Sequence, residues 1–128
     1  MLHIFILLLL ATFQQESKEI HFGHGGGFSG IVYHYVLDET GQLFKTDAFS
    51  DESTLIKKID TQVVKELFLS IEEDRLDQFT INQPGNTYKF IEIHQNGVVN
   101  KMVWNGKSEN NSLNLLYTQL NTILKSKD

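Results

Sequence analysis

The residues of this chain best equipped for chemistry are its histidines and a cluster of glycines. Both meet in the segment His21-Phe22-Gly23-His24-Gly25-Gly26-Gly27-Phe28-Ser29-Gly30. A His-x-x-His spacing can offer two imidazoles to a metal, so His21 and His24 are the metal candidates that spacing alone provides. A catalytic zinc asks for three converging protein ligands and an open fourth position. His34 shares a strand face with Val32 and Val36, and His94 shares one with Phe90 and Glu92, but nothing in the linear order draws them together. Partly exposed strand histidines are the default reading, and the sequence calls for no metal or other cofactor.

As an anion nest, the glycine segment would aim successive backbone N–H groups at a phosphate or carboxylate. The phosphate-binding fingerprints also require a following helix or a Lys-Ser/Thr pair. Here a strand follows and no lysine is present, which excludes a nucleotide loop. A serine nucleophile would have to be Ser29, in Gly27-Phe28-Ser29-Gly30; the elbow motif needs Gly-x-Ser-x-Gly between a strand and a helix, and neither condition holds. Paired carboxylates for glycoside hydrolysis must face each other across a cleft. The acids here gather at residues 72–74 and in loops, where solvation explains them. The chain therefore reads as a non-enzymatic protein. The glycines suit a bulge or a close crossing of chains, or a binding loop. Phe28, between Gly27 and Ser29, is the candidate exposed anchor, whereas Trp104 falls on the apolar face of its strand and is expected in the core.

The elements that must position these groups follow from hydrophobic period. Residues 20–22 form a short strand running into the glycines. Residues 31–37 form the clearest strand, with Ile31, Tyr33, Tyr35 and Leu37 on one face. A turn at 38–41 leads into strand 42–46, and 54–59 is a further strand. Asp60 or Thr61 caps a helix reaching about Asp74, with Val64, Leu67, Phe68 and Ile71 as its stripe. After a turn at 83–86, strands 88–95 and 98–104 form a hairpin across Asn96-Gly97, the type I′ dipeptide. Two-residue closure sets Gln95 opposite Val98, Glu92 opposite Lys101 and Phe90 opposite Val103, so charges and apolar partners fall in register. A second helix starts near Ser108 or Asn111, with Leu113, Leu116, Tyr117, Leu120, Ile123 and Leu124 inward. The expected order is β-β-β-β-α-β-β-α: an α+β fold with a single antiparallel sheet and two amphipathic helices packed on one face.

The chain has 128 residues, 41% of them apolar, with a formal charge of −5 and no cysteine. The acidic balance argues against a nucleic-acid partner, and the lack of cysteine excludes disulfides and thiolate metal sites. Residues 4–13 are an apolar run too short for the ~20 residues that cross a bilayer. It suits a secretory leader at residues 1–15, with cleavage between 11 and 17, followed by one domain at 16–128. The mature form would have no membrane span and would be exported to the periplasm, the cell surface or the medium.

Phe22-Gly23-x-Gly25-Gly26-Gly27-Phe28-Ser29-Gly30, Gly41-Gln42-Leu43-Phe44-Lys45, Pro84-Gly85-Asn86-x-Tyr88 and Trp104-x-Gly106 resemble a group of small exported bacterial proteins of unknown function, of the Bacteroidota type, with an FGxGGGF(S/T)G motif. The resemblance spans nearly all of the mature chain. It implies export and one compact domain, and attaches no catalytic residue to these positions. The leading expectation is a module that binds a protein or peptide of the cell envelope. Gly25, Gly26, Gly27, Phe28 and Ser29 of the 23–30 loop would form its site, together with Pro84 and Asn86. One alternative is an inhibitor of a protease or other hydrolase, which requires the two loops to be adjacent; another is a small histidine-based metal-binding protein.

Overall fold

A computed structural model describes residues 17–127. The leader expected at residues 1–15 lies outside the described residues. Seven strands and two helices follow in the order β1 (Glu19–Gly26), β2 (Tyr33–Asp38), β3 (Gln42–Thr46), β4 (Ser53–Lys58), α1 (Thr61–Glu73), β5 (Ile81–Gln83), β6 (Thr87–Gln95), β7 (Val98–Trp104) and α2 (Asn111–Lys125). The strands make one sheet in the spatial order β4-β3-β2-β1-β6-β7-β5. The fold is α+β.

The β6–β7 hairpin has the register that its turn dictates, with Gln95 paired to Val98, Glu92 to Lys101 and Phe90 to Val103. Asn96 and Gly97 both adopt positive φ, as a type I′ turn requires. Each helix begins on a side-chain cap: Asp60 Oδ1 accepts from the Gln62 amide at 2.7 Å, and Asn110 Oδ1 accepts from that of Leu113 at 3.1 Å. Val64, Leu67 and Ile71 of α1 and Leu113, Leu116 and Leu120 of α2 are buried against one face of the sheet. That face contributes Ile20, Phe22, Leu37, Ile91, Ile93 and Trp104. Complete burial of each such side chain is worth about 1.5–3 kcal/mol. No helix among the described residues is long and apolar enough to cross a membrane.

Two expectations are corrected. The sheet is mixed rather than antiparallel throughout, because β5 pairs in parallel with β7. Helix α1 carries the chain to the opposite edge of the sheet, where β5 forms and the Pro84–Asn86 turn leads into β6. Strand β7 then folds back between β6 and β5; both neighbours of that turn run antiparallel to each other, so β7 must run parallel to β5. Asn100 ties the junction by donating from Nδ2 to the carbonyls of Leu76 at 2.9 Å and Phe79 at 2.6 Å.

The second correction concerns the glycines. Gly23, Gly25 and Gly26 belong to β1, a central strand pairing with both β2 and β6. At Gly23 a Cβ would stand 1.8 Å from the Tyr33 carbonyl oxygen and 3.0 Å from the Phe90 ring; at Gly25 it would meet the Tyr88 hydroxyl at 2.7 Å. These positions are glycine because neighbouring backbone and aromatic rings occupy the space a side chain would take. Only residues 27–32 form the loop.

Candidate functional site

The helices cover one face of the sheet and leave the other open. The bare face holds an open groove of about 580 Å3, with Val32, Pro84, Tyr88, Phe90 and Val103 as apolar lining and His34, Glu92 and Lys101 toward the middle of the sheet. The glycines at 23 and 25 are what allow Phe90 and Tyr88 to lie across β1.

Farther along the same face, three imidazoles converge. Strand β1 lies between β2 and β6, and His21 stands opposite Val36 on one side and Glu92 on the other. His34 and His94 are therefore its diagonal neighbours. His21 Nδ1 lies 2.9 Å from His34 Nε2, and its Nε2 lies 2.7 Å from Glu19 Oε2. The His21 ring stacks on His94 with centroids 3.8 Å apart and planes 13° from parallel. His94 Nε2 in turn meets Glu92 Oε1 at 3.1 Å. All these groups are partly buried. Burial holds His34 below the ordinary imidazole pKa; His21, His94 and Lys101 push the same way and Glu92 opposes them.

His24, three residues beyond His21 on one strand, projects from the opposite side of the sheet, where it stacks on Tyr33 at 4.8 Å. The structure thus brings together His21, His34 and His94, and separates His21 from His24.

The other concentration of features is at one end of the sheet. Gly27 donates its N–H to the Asn86 carbonyl at 2.7 Å, so the 27–32 loop and the Pro84–Asn86 turn are adjacent and tied. Phe28 stands fully exposed on that loop. The 47–52 loop, which follows Thr46 where it pairs with His34, reaches the same end. It carries Phe49, also exposed. Asp47 organises it, with Oδ1 accepting from the Phe49 amide at 2.8 Å and the Ser50 amide at 3.0 Å. Those bonds hold the Asp47 carboxyl below the usual carboxylate range. Ser29 Oγ accepts from the Ile31 amide at 3.4 Å within its own loop, a turn-forming contact. A second hollow of about 310 Å3 at this end is lined by Gly25, Gly26, Ser29, Tyr88 and Tyr117 among others. Phe49 is a residue that local sequence reasoning does not single out, and the convergence of His34 and His94 on His21 depends on strand pairing that the linear order does not show. Comparison with models of known protein families and with curated proteins gives no match for this chain.

Proposed function

We propose that this protein is a non-enzymatic module that binds a protein or peptide at the loop end of its bare sheet face, with Phe28 as the anchor. The observation that carries this reading is a fully exposed phenylalanine on a loop braced by hydrogen bonding to the neighbouring turn. Water-exposed aromatic surface is unfavourable in the free molecule, and aromatic anchors dominate the energetics of interfaces. Phe49 and the apolar groove floor of Tyr88 and Phe90 give an extended partner further surface at the same end. The apolar run at residues 4–13 supports export, which would put the partner in the cell envelope or outside the cell.

The test is peptide-library panning on the full chain and on a Phe28→Ala/Phe49→Ala variant. The proposal expects sequences enriched on the wild type to lose about tenfold or more in affinity on the variant. Equal enrichment on both proteins contradicts it. A second reading, inhibition of a protease or other hydrolase, is favoured by the bond between the two loops, since a wedge of two adjacent loops can enter a cleft. A panel of secreted hydrolases assayed with and without the protein separates the two.

A further inference from the structure

We propose that the bare face also carries a divalent transition-metal site for zinc, with Glu19, His21 and His94 as ligands and His34 as the residue that positions His21. One ligand atom from each of the three ligands lies within 4.8 Å of the others. Tetrahedral zinc, at about 2.0–2.1 Å from each donor, sets its ligand atoms about 3.3 Å apart. Rotation about the soft terminal torsions of the imidazoles and the carboxylate closes that difference without moving the strands.

The hydrogen bonds already orient the central ligand, and a metal taking the place of the Nε2 proton shared with Glu19 would leave the imidazole in its Nδ1–H form. His21 turns Nε2 toward Glu19 Oε2 and Nδ1 toward His34 Nε2. Coordination through Nε2 requires the proton on Nδ1, and the His34 nitrogen at 2.9 Å is placed to accept it. A metal would stand where Nε2 and the carboxylate now converge. This is the outer-shell arrangement that fixes tautomer and ring orientation in metal sites, and the Glu92 carboxylate braces the His94 ring in the same way.

Backbone pairing fixes the spacing. Glu19 is the cross-strand partner of His94, and His21 that of Glu92, on the central strand β1 and its neighbour β6. The donor set is two imidazoles and one carboxylate, which suits zinc and its late first-row neighbours rather than magnesium or calcium, whose sites are built from oxygen. Among the described residues no helix covers this face, which leaves a fourth position for water or for a donor from a bound partner.

Calorimetric titration of the full chain with zinc, alongside single variants, tests the proposal. One zinc per chain is expected. His21→Gln and His94→Gln should abolish saturable uptake, His34→Ala should weaken it about 10–100-fold, and His24→Gln should leave it unchanged. Circular dichroism establishes that each variant is folded. Where one is not, imidazole nitrogen resonances of the wild type decide: zinc should shift those of His21 and His94 and spare His24. Absence of saturable zinc uptake by the wild type overturns the proposal, as does uptake that survives loss of His21 and His94 in folded protein.

Discussion

The two faces of this sheet are built from the same strands and have opposite characters. In β1, Ile20 and Phe22 are buried under the helices, while Glu19 and His21 lie on the bare side; in β6, Ile91 and Ile93 alternate in the same way with Glu92 and His94. One face holds the apolar contacts that stabilise the fold, and the other gathers titratable groups, a groove and exposed aromatics. A period of two residues is enough to keep these tasks apart. Truncating an apolar residue under the helices should therefore change stability and leave binding alone, and truncating an exposed aromatic at the loop end of the bare face should do the reverse.

Trp104→Ala should be the most damaging, since it empties the largest buried side chain of the core. Urea denaturation should show a loss of about 3–5 kcal/mol. Next comes Gly23→Ala, which drives a methyl into the Tyr33 carbonyl. A loss of roughly 1–3 kcal/mol is expected; a neutral result would contradict the assignment of this glycine to close strand packing.

A smaller effect should appear on acidification of metal-free protein. His34 faces His21, Glu92, His94 and Lys101, and its folded-state pKa lies below the ordinary 6.5. The unfolded chain therefore binds the proton more readily, so stability from this source is complete above about pH 6.5 and declines as pH falls toward the folded value. His34→Gln should flatten the pH dependence of the denaturation midpoint in that window. The smallest effect belongs to Phe28→Ala: at a fully exposed position it should shift stability by no more than about 0.5 kcal/mol, while affecting partner binding most.

Local features of the fold were legible in the sequence. The Asn96-Gly97 turn set the hairpin register, Asp60 marked the start of the first helix, Trp104 fell in the core, and Phe28 had few neighbours to cover it, whereas the second helix was expected from near Ser108 or Asn111 and its cap is Asn110. Strand β5 was not legible, because three residues are too few to show a period and their pairing depends on where β7 inserts. The strand glycines read as a loop because glycine disfavours strands; the rings of Tyr88 and Phe90, distant in sequence, explain their presence. The histidine cluster was hidden for a related reason. His21 meets His34 and His94 only because β1 pairs with β2 on one side and with β6, far along the chain, on the other. Spacing favoured His24, which strand alternation turns away.

The central claim, that binding belongs to the bare face and its loop end, is tested most directly by mapping backbone amide shifts of isotope-labelled full chain as a panned peptide is added. The account expects perturbations at residues 27–32, 47–52 and 84–90, with α1 and α2 unaffected. Shifts concentrated on the exposed helix positions Leu69 and Leu115, with the loop end silent, would contradict it.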